Sequence, residues 1–224
     1  MSITKDFLPK HPDITIYQDD EMFRINTDTM VLGEFIDIYK KDTVLDMGTN
    51  NGALLIYASF FNPKKLIGLE INSKALDLAK KNLDENNITN YELINDNIIT
   101  YKGEEVDVII CNPPYFKTKE EDKCDNEYKK LAKHEGELTL DKLIASIRRN
   151  LKNYGTLYLL FLTSRLNEVL EELKKNKFRV KKLKFVYDTN KEYSNVVLIK
   201  ATKGGNHGMV VEKPIIIDRN SNCQ

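Results

Sequence analysis

Residues 43–61 read TVLDMGTNNGALLIYASFF. TVLDM is a short apolar run of strand character, and GALLIYASFF has the apolar density of a buried helix, so the chain turns from strand to helix through GTNNG. Gly48 and Gly52 carry no Cβ, which lets a small molecule approach the backbone of that turn. The start of the following helix offers free N–H groups to an anion. A turn of this kind belongs to the first unit of a doubly wound sheet, whose ligands sit at the carboxyl ends of the strands. Taken alone, the loop is also compatible with an ordinary tight turn.

The rest of the chain repeats that alternation. KLIGLEI (65–71), NYELIND (90–96), EVDVIICN (105–112) and YGTLYLLFL (154–162) read as short buried strands. SKALDLAKKNLDENN (73–87), TLDKLIASIRRNL (139–151) and SRLNEVLEELKKN (164–176) read as helices. Alternating strands and helices predict an α/β fold with a mostly parallel sheet covered on both faces. FRVKKLKFVYD (178–188) and SNVVLIKAT (194–202), joined by the turn-like TNKEY, predict an antiparallel hairpin at one sheet edge. Before the first strand, NTDTMVLGEFIDIY predicts a helix with Asp28 as its N-cap.

Bulk composition narrows the function classes. A chain of 224 residues with 41% hydrophobic content supports one sizeable core, hence one domain. Its 34 basic and 34 acidic residues cancel, so any polyanion contact is local. The opening MSITKDFLPKHPD has no apolar core of signal-peptide length and no run approaches a membrane span, so a cytoplasmic protein with no membrane partner is expected. Cys111, Cys124 and Cys223 are too scattered for a disulfide framework or a metal site.

Strand ends supply the chemistry. Glu70 closes the second strand, where a carboxylate accepts hydrogen bonds from both hydroxyls of a ribose. Asp96 closes the third, placed for an exocyclic amine. The fourth ends in CNPPYFKT, residues 111–118. Two prolines fix φ and force the preceding residue into an extended conformation, so the Asn112 side chain and the Pro113 carbonyl stand in a defined relation. The two oxygens can accept both N–H bonds of a flat amino group and favour the positive charge that develops when its nitrogen is alkylated. Tyr115 would stack on the base that carries this amino group.

Together, DMGTNNG, GLEIN, NDN and NPPY resemble the motifs of the class I S-adenosylmethionine-dependent methyltransferases over roughly residues 20–201. The resemblance implies a Rossmann-like fold with a seven-stranded, mostly parallel sheet and a C-terminal antiparallel hairpin. It divides the chain into an N-terminal strand and helix (1–40), the methyltransferase domain (41–203) and a tail (204–224). S-adenosylmethionine would contact Asp46, Gly48, Asn50, Gly52, Glu70, Ile71, Asp96, Asn97 and Asn112. Asn112, Pro113, Pro114 and Tyr115 would carry catalysis on a planar exocyclic or amide nitrogen.

FRINTDTMVLGEF, AKHEGELTLDKL and KGGNHGMVVEKPIII are similar to stretches of bacterial enzymes that methylate N6 of the adenosine 3′ of the anticodon of tRNA1(Val). In that light Thr27 and Asp28 would touch the cofactor and tRNA would be the partner; the sequence does not fix the oligomeric state, and a monomer is favoured. The amide of a protein glutamine and guanine N2 in RNA are alternative targets of the same tetrad. Two residues depart from the pattern: Lys133 stands for an arginine and Asn50 for a glycine. Two basic clusters could neutralise RNA phosphates, one at Lys129, Lys130, Lys133 and His134 and one at Lys174, Lys175 and Lys177. The long polar stretch 116–138 reads as a segment that orders on tRNA.

Overall fold

The computed structural model describes residues 3–20, 22–113 and 138–218. Its centre is a sheet built from β3 (Thr43–Met47), β4 (Lys65–Glu70), β5 (Tyr91–Asn95), β6 (Val106–Cys111), β7 (Leu151–Leu162), β8 (Phe178–Asp188) and β9 (Val196–Lys203). These seven lie in the order β5-β4-β3-β6-β7-β9-β8. β5, β4, β3, β6 and β7 are mutually parallel, and β9 runs against both β7 and β8. The expected Rossmann-like sheet with its C-terminal hairpin is therefore present. Two short strands, β10 (Val210–Val211) and β11 (Ile215–Ile217), extend the β8 edge in parallel, inside what the sequence presents as a tail.

Among the described residues, five helices cover the sheet. On one face lie α1 (Thr27–Phe35), α2 (Ala53–Ser59) and α3 (Ser73–Glu85). On the other lie α4 (Leu140–Asn150) and α5 (Leu166–Lys175), the latter entered through a 3₁₀ turn, Thr163–Arg165. Strand alternation feeds both layers. Leu45 and Met47 of β3 pack with Leu143, Ile147 and Leu173 beneath. Val44 and its neighbours Leu66 and Val108 pack with Val31, Leu32 and Leu55 above. Burying both faces explains why the central strands read as continuous apolar runs.

The helix termini correct one expectation. Asn26, not Asp28, caps α1: its backbone is extended at φ −127° and its Oδ1 accepts the Thr29 N–H at 3.0 Å. The cap must lie one residue outside the first helical turn, and Asp28 lies inside it, buried, where a carboxylate still favours the positive helix end. Gly33 lets α1 lie against α2, since a Cβ there would stand 2.4 Å from the Tyr57 ring.

Residues 3–19 form a separate antiparallel pair, β1 (Ile3–Leu8) and β2 (His11–Asp19). The free side of β2 is satisfied by asparagine side chains of α3 and its C-cap acting as a surrogate strand. Asn82 accepts the Tyr17 N–H at 2.7 Å and donates to the Tyr17 carbonyl at 3.0 Å. Asn86, one turn on, repeats this with Thr15 at 3.1 and 2.7 Å. The pairs meet because i,i+4 residues lie on one helix face.

Candidate active site

The strand order reverses between β3 and β6: the chain runs outward through β4 and β5 on one side and through β7 on the other. A crevice opens at such a point, outside the carboxyl ends of the strands. Met47 pairs with both Leu69 and Cys111, so the glycine loop leaves the sheet between the ends of β4 and β6. Glu70 pairs with Asn95, which sets Asp96 one residue beyond at the end of β5. The structure thereby brings Gly48, Glu70, Asp96 and Asn112 to the same end of neighbouring strands.

The loop has the backbone that its sequence demands. Gly48, Asn50 and Gly52 have φ of +85°, +47° and +81°. A Cβ on Gly48 would find only Ile98 Cδ1, at 3.8 Å, so the space beside it is open, whereas one on Gly52 would lie 3.2 Å from Ala79 Cβ on α3. Asparagine is the side chain that best tolerates the left-handed region after glycine, which accounts for Asn50. The Glu70 carboxylate accepts the Asn50 N–H and the Asn72 N–H, both at 3.0 Å. Burial raises the Glu70 pKa, and these N–H bonds oppose the rise.

Asp46 lies directly below the loop, fully buried, with no hydrogen-bond partner on either carboxylate oxygen. Burial pushes its pKa up to about 7, the nearby Thr49 hydroxyl working against the rise and the Glu70 charge adding to it. The Thr49 hydroxyl and the Asn51 amide nitrogen are likewise buried and unpaired. Unsatisfied buried polar groups are uncommon, and their concentration at the end of β3 and in the loop that follows makes this a candidate site.

Asp96 is exposed, with Oδ1 accepting the Asn97 N–H at 2.6 Å. Its loop is held from below by α4. Arg149 donates to the Ile99 and Tyr101 carbonyls at 2.8 and 2.7 Å, and Asn150 accepts the Gly103 N–H at 3.1 Å. Asn112 is half-buried and Pro113 buried at the end of β6. Ile71 is 38% exposed beside Glu70, an apolar surface available to a flat ring. Thr27 and Asp28 open α1. Pro114, Tyr115, Lys129, Lys130, Lys133, His134 and most of the 116–138 stretch lie outside the described residues.

The second basic cluster does not join this constellation. Phe178 pairs with Lys203, while Val186 pairs with Val196, itself opposite Leu162 at the carboxyl end of β7. Lys174, Lys175 and Lys177, which precede β8, therefore stand at the other end of the sheet, about 26 Å away at ~3.3 Å per strand residue. Lys182 and Lys184 are paired with Glu212 at 2.8 and 3.4 Å.

Asn82 and Gln18 carry no site role in the sequence reading, yet both reach the site's frame. Asn82 donates to the Asn51 carbonyl at 2.8 Å, and Gln18 accepts the Ile25 N–H at 2.7 Å. The available signal was an asparagine at a core-facing position of α3, between Ala79 and Leu83. Among the described residues no group of three or more His, Cys, Asp or Glu could hold a metal, and no helix is long and apolar enough to cross a membrane.

A family model described as "Methyltransferase domain" matches residues 38–201. The chain belongs to this methyltransferase family. The tRNA1(Val) (adenine(37)-N6)-methyltransferase of Bacteroides thetaiotaomicron is 28% identical over 63% of this chain and 61% of its own length. The enzyme of that name from Aliivibrio salmonicida is 27% identical, covering 79% and 76%. A provisionally named protein N5-glutamine methyltransferase of Methanocaldococcus jannaschii is 30% identical, covering 68% and 74%. Among solved structures, a ribosomal protein L11 methylase from Lactobacillus delbrueckii superposes with a TM-score of 0.61 at 18% identity, covering 84% of each chain. A predicted O-methyltransferase from Agrobacterium tumefaciens gives 0.66 at 15% identity, covering 88% and 90%. Likeness at this identity establishes the methyltransferase fold.

Proposed function

We propose that this methyltransferase transfers a methyl group from S-adenosylmethionine to the exocyclic N6 of an adenosine in tRNA, the adenosine 3′ of the anticodon of tRNA1(Val). The observation that carries the reading is the placement of the Asn112–Pro113 strand end beside the glycine loop at the topological switch point.

The residues fit the donor. Gly48 leaves open space where a side chain would stand, and the unpaired Asp46, Thr49 and Asn51 groups beneath the loop are polar functions that a polar, cationic ligand suits. S-adenosylmethionine, when bound, supplies an electrophilic methyl carbon on a sulfonium. Glu70 would accept the ribose hydroxyls and Asp96 the adenine amine, with Ile71 and Asn97 beside the ring and Thr27 and Asp28 toward the amino-acid end. The position of both acids at strand ends supports this reading.

Asn112 and Pro113 would hold the target nitrogen. An adenine N6 lone pair is delocalised into the ring, so the nitrogen must become pyramidal before it attacks. Oδ1 of Asn112 and the carbonyl of Pro113 would accept its two N–H bonds and stabilise positive charge as it forms. Once methylated, the nitrogen is acidic enough to lose its proton to water, so the residues need only orient the amine. Tyr115 would stack on a base that has left its own stack. Lys129, Lys130, Lys133 and His134 would lie nearer the tetrad in sequence, and Lys174, Lys175 and Lys177 would contact RNA far from the reacting base.

The N5-glutamine relative, at 30% identity, favours a second reading in which a protein glutamine amide takes the amine's place. Incubating the purified protein and labelled donor with total tRNA and, separately, with a release-factor polypeptide tests both. The proposal expects label in tRNA alone; label in the polypeptide alone would replace it by the second reading.

A further inference from the structure

Residues 22–26 cross from the end of β2 to the start of α1 beside the glycine loop, and hydrogen bonds hold them from two sides. From the hairpin, Gln18 accepts the Ile25 N–H at 2.7 Å and Asp19 accepts the Met22 N–H at 3.0 Å. From the loop, Asn50 Nδ2 donates to the Phe23 carbonyl at 2.6 Å. Arg24 ties the same segment to Asp6 at 2.9 Å and to Asp20 at 2.7 Å. The hairpin is in turn fixed to α3 by Asn82, whose amide also reaches the loop at Asn51. The glycine loop and the N-terminal segment thus share a frame of asparagine and glutamine amides.

We propose that Asn50 is a positioning residue that clasps residues 22–26 across the donor site and slows exchange of donor and product. This rests on the reading that the glycine loop binds S-adenosylmethionine. Three features of Asn50 combine. Its left-handed backbone gives the loop the turn a glycine would give. Its N–H sits on Glu70, the acid assigned to the ribose. Its side chain does what a glycine cannot, reaching out of the loop to the Phe23 carbonyl. A glycine in this place would keep the turn and leave the segment held from the hairpin side and by Arg24. The bond holds the backbone of Phe23, whose side chain is 49% exposed.

The test uses Asn50→Gly, which suits the positive φ, and Gln18→Ala, which loosens the segment from the hairpin side. Hydrogen exchange of the ligand-free proteins is read over residues 22–27, and dissociation of S-adenosylhomocysteine is followed by stopped flow. Both variants should exchange faster in that peptide, and Asn50→Gly should release the product roughly two- to tenfold faster, the range expected for one net hydrogen bond. Equal exchange and equal release in Asn50→Gly and wild type would overturn the clasp. Failure of the wild type to bind the product at all would instead overturn the donor assignment, and the exchange data alone would then decide whether the clasp exists.

Discussion

Cys111, the last residue of β6, lies opposite Met47, the last residue of β3, and its Sγ donates to the Met47 carbonyl at 3.5 Å. Asn112 and Gly48 are the next residues on these two strands, so an amide side chain and an open glycine leave the sheet side by side. Every functional expectation for this chain depends on that adjacency.

Asn112 should separate chemistry from binding. Asn112→Ala removes one of two acceptors for the target amine and leaves the glycine loop untouched, so kcat should fall by roughly 10²–10³-fold, as when one electrostatic partner of a transition state is deleted. Affinity for S-adenosylhomocysteine, measured by calorimetry, should fall far less than kcat, by no more than about tenfold, the loss of one net hydrogen bond. Equal loss of both would make Asn112 a folding residue.

Asp46 should make the ligand-free protein pH-sensitive. Folded Asp46 keeps its proton up to about pH 7, whereas an unfolded aspartate loses it near ~3.9. Between these values the folded state binds more protons, so stability falls as pH rises from about 4 to about 7 and levels off above. Asp46→Asn escapes that loss. Its advantage over wild type in urea unfolding should grow between pH 5 and pH 8, up to a limit of about 4 kcal/mol from about 1.4 kcal/mol per pKa unit. A difference that stays constant with pH would contradict the buried, unpaired carboxylate.

Gly48 and Gly52 should fail differently when changed to alanine. Both have positive φ, costing roughly 1–2 kcal/mol for any Cβ. At Gly52 the methyl also presses on Ala79 at 3.2 Å, so α2 and α3 must separate and the melting temperature should drop more. At Gly48 the methyl meets open space, and the larger effect should be weakened product binding. Matched thermal unfolding and calorimetry on the two variants distinguish these outcomes.

The N-terminal hairpin should depend on its side-chain ladder. Asn82→Ala leaves the Tyr17 N–H and carbonyl without their partners and breaks a bond to Asn51, at about 1–3 kcal/mol for the stranded buried groups. Hydrogen exchange should rise in residues 11–19 before it rises in β3 or β6. Uniform change across the sheet would argue against local docking.

The doubly wound core was legible because its strands are buried on both faces and announce themselves as apolar runs, with Gly48, Glu70, Asp96 and Asn112 where the first four end. The hairpin of residues 3–19 was not. ITKDFL and HPDITIYQD mix charges with apolar residues, their turn has no glycine and uses Lys10 at φ +66°, and half of the β2 ladder comes from side chains 65 and 71 residues away. β10 and β11 are too short to show a period. Lys174, Lys175 and Lys177 illustrate a different gap: sequence counts charges, but only the direction of β8 tells which end of the sheet they occupy. Asn50 looked like a lost glycine, and its reach to Phe23 depends on a contact across 27 residues.

The central claim is that the paired acceptors at the end of β6 direct a methyl group onto an adenine amine. Purified protein, labelled S-adenosylmethionine and tRNA lacking the modification should be incubated, digested to nucleosides and resolved by mass spectrometry, with Asn112→Ala alongside. The wild type should place label in N6-methyladenosine and the variant should leave that peak nearly empty. Label in a different nucleoside, or an N6-methyladenosine peak undiminished by the substitution, would contradict the account.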